Sequence, residues 1–166
     1  CLDSDSVQVT VHTLPTVTLS DTTICPGDSA QFTAVSSTAE EYLWSESASG
    51  VLQTYIGYSE GTCQVVITDV NHCKDTTQAT LTHYEPPVVT VNNDTICIGD
   101  SAAVFTASSP TALQYSWSEN GQGNQPTASG TTAGNYTVIV EDINTCKDTA
   151  TGILWVDTLP VVVVND

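Results

Sequence analysis

The residues with the clearest chemical potential are Asp69 with Asn71 and Asp142 with Asn144, two copies of an Asp-x-Asn spacing with Asp75 and Asp148 close behind. Calcium takes about six to eight oxygen ligands of this carboxylate and carbonyl type, so calcium is the cation these positions would hold. No complete calcium loop surrounds them, and Asp and Asn also form turns by bonding their own backbone, which is the competing reading. Six Cys are a second resource: Cys1, Cys25, Cys63, Cys73, Cys97 and Cys146, with no zinc-type Cys-x-x-Cys pair among them. A third is the company of the aspartates, since nine of the twelve are followed directly by Ser or Thr. Side chains of both kinds bond local backbone groups, which favours such pairs at turns. Catalysis finds little to work with. His12, His72 and His83 occupy unrelated positions, no nucleophile-elbow, zinc-protease or phosphate-loop motif occurs, and Glu40-Glu41 reads as a solvated edge. Trp44, Trp117 and Tyr115 could stack on a sugar, but their setting in apolar alternation makes them core residues. The expectation is that the chain is not an enzyme and has no cofactor, calcium being the one candidate ion.

The composition limits partners. Two Lys+Arg against 19 Asp+Glu give a formal net charge of -17 over 166 residues, so nucleic acid and anionic membrane surfaces are repelled. Charged residues are only 13% of the chain and hydrophobic ones 40%, which describes a folded chain with a core rather than a disordered acidic one. Abundant Thr, Ser and Val favour strands, and almost no helix is expected. Six Cys in such a chain point to an oxidising, extracytoplasmic setting. With no initiator Met, signal peptide or apolar run long enough to span a bilayer, the chain reads as an internal fragment with no direct membrane insertion.

The elements that must position these residues repeat. Ile24-Cys25-Pro26-Gly27-Asp28-Ser29-Ala30 returns as Ile96-Cys97-Ile98-Gly99-Asp100-Ser101-Ala102, and Asp69-Val70-Asn71-His72-Cys73-Lys74-Asp75-Thr76 as Asp142-Ile143-Asn144-Thr145-Cys146-Lys147-Asp148-Thr149. Cys25 and Cys97 are 72 positions apart and Cys73 and Cys146 are 73 apart, the mark of tandem duplication. Leu14-Pro15, Pro86-Pro87 and Leu159-Pro160 recur at one place in the period and delimit the repeats. The expected organisation is the last strand of a preceding repeat over 1–15, whole repeats over 16–87 and 88–160, and the first strand of a following repeat over 161–166.

Each repeat reads as six or seven short strands. In the second, Val88–Val91, Ala103–Ala107, Gln114–Ser118, Tyr136–Val140 and Thr149–Val156 are strand-like, with Tyr136, Val138 and Val140 inward and Trp117 inward on the third strand. The stretch from Glu119 to Gly134 reads as turn and edge. This pattern predicts an all-β fold of tandem immunoglobulin-like sandwiches of about 72 residues. One extra residue before Phe105, relative to Phe32, predicts a β-bulge in that strand.

In that topology Cys25 and Cys97 precede a turn at one pole, whereas Cys73 and Cys146 open the last strand at the other. A Cys25 to Cys146 bridge between stacked repeats is one reading, leaving Cys73, Cys97 and Cys1 to partners in further repeats. Within-repeat pairs, Cys25 to Cys73 and Cys97 to Cys146, are the other, and sequence leaves both open. Cys63, standing where Tyr136 stands in the second repeat, reads as a buried thiol.

Tyr115, Trp117, Ser118, Ala133, Gly134, Tyr136, Thr137, Val138, Val140, Asp142, Asn144 and Cys146 form a pattern, Tyr-x-Trp-Ser to Ala-Gly-x-Tyr-Thr-Val-x-Val-x-Asp-x-Asn-x-Cys. It resembles the SprB-type and related PKD-like repeats of giant surface adhesins in gliding Bacteroidota. The likeness covers nearly the whole chain, including the Cys-x-Gly-Asp-Ser run and the Leu-Pro linkers. It implies the structural stalk of a large cell-surface adhesin or filament, extracellular and attached to the outer membrane, connected with adhesion or gliding motility. Its partners would be neighbouring repeats of the same chain and, through other regions, an extracellular surface or polysaccharide. The triplets beginning at Asp5, Asp21, Asp28, Asp75, Asp94, Asp100, Asp148 and Asp157 look like the Asp-Ser/Thr-apolar acceptor of O-glycosylation in Bacteroidota. That likeness makes Ser6, Thr22, Ser29, Thr76, Thr95, Ser101, Thr149 and Thr158 candidates for O-glycans. Two alternatives stand beside the stalk. One is an accessory carbohydrate-binding or spacer module of a secreted enzyme, which a row of exposed aromatics would favour. The other is a filament subunit that accepts a strand from its neighbour, suggested by the apolar Val161–Val164.

Overall fold

A computed structural model describes residues 3–45, 52–118 and 123–160. Cys1 and the apolar segment Val161–Val164 lie outside the described residues. The chain divides into two compact units, Cys1–His83 and Tyr84–Asp166. Among the described residues there is no helix, as the shortage of helix formers predicts.

In the first unit, β1 (Thr22–Ile24), β2 (Ala30–Thr33), β3 (Ala39–Trp44), β4 (Thr54–Gly57), β5 (Gly61–Asp69) and β6 (Lys74–His83) form two layers, one ordered β1-β6-β5-β3 and the other β2-β4. The second unit contains β7 (Thr90–Val91), β8 (Asp94–Cys97), β9 (Ala103–Ser108), β10 (Gln114–Trp117), β11 (Thr127–Gly130), β12 (Gly134–Glu141) and β13 (Lys147–Asp157). Its layers run β10-β12-β13-β8 and β11-β9-β7. An isolated bridge between Thr18 and Val35 holds in the first unit the place of the Thr90 to Ser108 pairing in the second.

The opening segment of each unit thus joins one sheet and then crosses to the other. It pairs first with Val35, just beyond β2, or with β9, then runs parallel to the final strand, with Thr22 level with Leu81 and Asp94 level with Leu154. Every other ladder is antiparallel. A first strand shared between two sheets, with a buried Trp on the strand that pairs with the long hairpin, is the immunoglobulin-like arrangement expected from the sequence.

Alternation builds the cores. Strand β9 places Ala103, Phe105 and Ala107 inward, β12 places Tyr136, Val138 and Val140, and β5 places Cys63, Val65 and Ile67. Trp44 and Trp117 are buried, and each indole N–H finds a carbonyl, Leu52 O at 2.9 Å and Gln125 O at 3.1 Å.

Three details add to or differ from the sequence reading. Asp94–Cys97 forms a strand in a stretch to which the sequence reading assigns none. Thr127–Gly130, within the stretch read as turn and edge, is the edge strand of the β11-β9-β7 layer, and its inward positions are small, Ala128 and Gly130. The expected bulge is absent: Ala103–Phe105 pairs regularly with Ala128–Gly130, and the extra residue falls at Ser101–Ala102, before the strand begins. An insertion in the exposed turn disturbs no ladder bond, whereas one inside the strand would break pairing. The register shift that does occur lies in β3, between Ala39 and Glu41.

Candidate functional site: turn aspartates, cysteines and the aromatic core

Asp69 and Asp142 are the two buried charged residues among those described, each closing the turn before the last strand of its unit. Asp69 Oδ1 accepts the N–H groups of Asn71 (2.9 Å) and Cys73 (2.8 Å), and Asp142 Oδ1 accepts those of Asn144 and Cys146, both at 2.9 Å. Main-chain bonds between Asp69 and Cys73, and between Asp142 and Cys146, complete the loop. The residue before each Cys turns left-handed, His72 at φ 62° and Thr145 at φ 67°. This is a three-residue hairpin loop with a residue in the left-handed region, held by its own aspartate. The Asp-x-Asn spacing places Oδ1 over two backbone donors instead of toward a cation. Asn71 and Asn144 are exposed, and no group of three or more His, Cys, Asp or Glu among the described residues could hold a metal. In this structure Asp69 and Asp142 therefore act as turn clamps through Oδ1, a role that needs no cation.

Aspartates followed by Ser or Thr do similar work. Asp5, Asp75, Asp94 and Asp148 each accept the N–H of the next residue through Oδ1 at 2.8 Å. Asp75 Oδ2 also takes the N–H of Val17 (3.1 Å) and Asp148 Oδ2 that of Val89 (3.0 Å), tying the opening segment of each unit to the start of its final strand. Asp21 accepts the Thr80 N–H at 2.7 Å, and Asn93, its counterpart, accepts that of Ile153 at 2.8 Å. The structure leaves Ser6, Ser29, Thr76, Thr95, Ser101, Thr149 and Thr158 exposed, and Thr22 half-buried.

Cys25 and Cys146 are disulfide-bonded. Cys73 and Cys97 are half-buried free thiols, so the within-repeat pairs Cys25 to Cys73 and Cys97 to Cys146 are not made. Register supplies the reason. Cys97 lies level with Asp157, at the far end of the strand that Cys146 precedes, and eleven residues of strand separate those ends by about 33 Å. A disulfide requires Cα atoms within about 7 Å.

Cys63 is buried, as expected, and its Sγ donates to the Ala79 carbonyl at 3.6 Å. The exchange with Tyr136 reorganises the core around it. In the second unit the Tyr136 ring stacks on Phe105 (centroids 4.3 Å, 12°) and its hydroxyl donates to Thr132 O at 3.0 Å. Gly130 makes room, because a Cβ there would collide with the Tyr136 hydroxyl. In the first unit the aromatic comes from the neighbouring strand instead. Tyr55, where the second unit has Ala128, packs against Trp44 (5.5 Å) and Phe32 (6.3 Å). Tyr55 with Cys63 thus replaces Ala128 with Tyr136. Alignment of the two repeats carries that paired exchange in plain view, although neither position alone discloses it. The substitution is incomplete in space, since a cavity of about 320 Å³ remains among Phe32, Gly57, Cys63 and Leu81.

Sequence reasoning also missed the outward face of the second unit, where Ile139, Ile153 and Trp155 are exposed at 44%, 37% and 47%. The first unit has Val66, Thr80 and Thr82 at those positions.

No protein-family model matches this chain, and no curated protein matches it. Among solved structures it is similar to a chimeric titin tandem functionalised with a fibronectin peptide, at 18% identity over 86% of this chain and 99% of that one, with a TM-score of 0.37. An I-band fragment of titin is similar at 12% identity, covering 89% of this chain and 67% of that one, TM-score 0.44. The four N-terminal Ig domains of Dscam1 are similar at 16% identity, covering 91% and 48%, TM-score 0.34. The fold assignment rests on the strand order and register described above.

Proposed function

We propose that this chain is a load-bearing stretch of a large extracellular adhesin stalk, anchored at the outer membrane and serving adhesion or gliding, with repeats over 16–87 and 88–160. The observation that carries this reading is the parallel pairing of each unit's opening and final strands, β1 with β6 and β8 with β13. When the two ends of such a unit are pulled apart, parallel neighbours slide in opposite directions. All the ladder bonds between them then load together instead of opening one at a time. Duplication multiplies the device, and the bonded Cys25 and Cys146 fit an oxidising exterior.

Two further features belong to the proposal. Cys25 and Cys146 are bridged to each other between repeats, with Cys73 and Cys97 reserved for the equivalent joints to further repeats. O-glycans are carried on the exposed hydroxyls Ser6, Ser29, Thr76, Thr95, Ser101, Thr149 and Thr158; at Ser6, Thr76, Thr95 and Thr149 the preceding aspartate holds the backbone N–H and leaves the side chain in solvent.

Single-molecule extension tests the mechanical reading. Reduced protein pulled from its ends is expected to yield two rupture events, each adding about 200 Å at roughly 3.3–3.6 Å per residue. Without reduction a Cys25 to Cys146 bridge takes the load past both units, so the bridge bears tension first and the parallel ladders bear it where the bridge is reduced. Smooth extension of the reduced protein at negligible force would exclude a load-bearing role, and unchanged full-length ruptures under oxidising conditions would exclude that bridge. Peptide masses of natively purified protein, taken without reduction, read the glycans directly. Bare peptides at all seven hydroxyls would remove glycosylation from the proposal.

A further inference from the structure

We infer that the cavity of the first unit is a binding slot for a para-substituted phenol ring. Its walls include the counterparts of the residues that touch Tyr136 in the second unit. Phe32 matches Phe105, on which Tyr136 stacks. Gly57 matches Gly130, whose missing Cβ admits the phenol head, and Cys63 stands at the position of Tyr136 itself. Ser59 matches Thr132, the residue whose carbonyl takes the hydroxyl proton, and Leu81 matches Leu154. The hairpin that frames the slot keeps its shape, with Gly61 at φ 148° and Gly134 at φ 155°.

In the second unit this environment is filled by a covalently attached phenol. In the first, a short thiol stands at that position and a cleft of about 320 Å³ lies beside it. Tyr55 leans toward Trp44 and forms one wall without closing the opening. Above Gly57 an added Cβ would meet Leu81 Cδ2 and Phe32 Cε2 at 3.3 Å and Tyr55 Cε1 at 3.5 Å, so these side chains border the place of the phenol head and must shift slightly to admit it. A volume of about 320 Å³ lies at the small end of the range for ligand clefts, roughly 300–1,000 Å³, and suits a single ring. Phe32, Tyr55 and Leu81 offer a ring apolar contact, and Ser59, Glu60 and Thr62 in the same lining suit a hydroxyl better than they suit a plain hydrocarbon.

The test is amide chemical-shift mapping of the whole chain titrated with p-cresol, with toluene as the control lacking the hydroxyl. Shifts are expected at Gly57, Ser59, Gly61 and Leu81, with their counterparts Gly130, Thr132, Gly134 and Leu154 unmoved. Toluene is expected to bind about two- to tenfold more weakly, the ratio one net hydrogen bond supplies. N-acetyl-tyrosinamide separates the two sources of the ring. Equal binding assigns the slot to a tyrosyl side chain of a partner, and its exclusion assigns it to a free phenol. Cys63→Tyr should fill the slot and abolish the p-cresol shifts. Cys63→Ser, which keeps the slot open, should retain them and serves if the larger side chain does not fold. Absence of shifts, equal shifts in both units, or toluene binding as tight as p-cresol overturns the assignment.

Discussion

Single side chains decide how each repeat fills its interior, and Gly130 and Gly57 show it most directly. A methyl group at Gly130 meets the Tyr136 hydroxyl, whereas one at Gly57 meets only carbon atoms at 3.3 Å or beyond. Gly130→Ala is therefore expected to destabilise the second unit by about 1–3 kcal/mol or more, and Gly57→Ala to change the first by less than about 1 kcal/mol. Thermal melts of the two variants would show it, with equal shifts counting against the phenol-filled core. The aspartate clamp makes a separate claim. Asp142→Ala removes the acceptor from two backbone N–H groups and should destabilise the second unit by about 1.5–3 kcal/mol, the range for bonds to a charged group. Because that carboxylate serves the turn, adding calcium or a chelator should leave the melting temperature of the unaltered protein in place. A calcium-dependent rise lost in Asp142→Ala would restore the metal reading.

At the scale of strands, the two repeats differ where tension would be carried. In the second unit four residue pairs join β8 to β13, and Ile98 N–H adds a bond to Asp157 O at 2.9 Å. In the first, three pairs join β1 to β6, and Pro26 stands at the position of Ile98 with no N–H to give. Under a slowly rising pull the first unit is expected to yield before the second, and Ile98→Pro should bring the second down toward it. Rupture forces insensitive to Ile98→Pro would place the mechanical barrier elsewhere. These short parallel strands were the elements least legible in the sequence. Thr22–Ile24 and Asp94–Cys97 are three and four residues long and only partly buried, so they lack the alternation that exposed Ala103–Ser108 and Gly134–Glu141. Thr127–Gly130 was hidden for another reason. Its inward residues are Ala128 and Gly130 because Tyr136 occupies the space, so the signal for that strand resides in a different strand. The Asp-x-Asn motif was legible as a turn or as a ligand pair, and only the direction of its Oδ1 bonds separates the two.

Across the whole molecule charge is the strongest influence. Nineteen carboxylates face two cations, of which Lys147 pairs with Glu141 at 3.3 Å on an exposed edge where such a pair contributes little. Self-repulsion at a formal net charge of -17 works against the compact state. Raising ionic strength from about 0.01 M to 0.15 M, which shortens the screening length from about 30 Å to 8 Å, should raise the melting temperature by a few degrees. A melting temperature that falls over that range would mean that attractive pairs outweigh repulsion. Each unit also receives its chain beside the start of its final strand, at Val17 or Val89, and releases it from that strand's other end. Because the two ends of a unit are at opposite poles, a gene can gain or lose a whole copy by unequal recombination without rerouting the chain on either side. On the proposed stalk reading, length then changes in whole-number steps of one repeat, independent of any change in the repeat's own sequence.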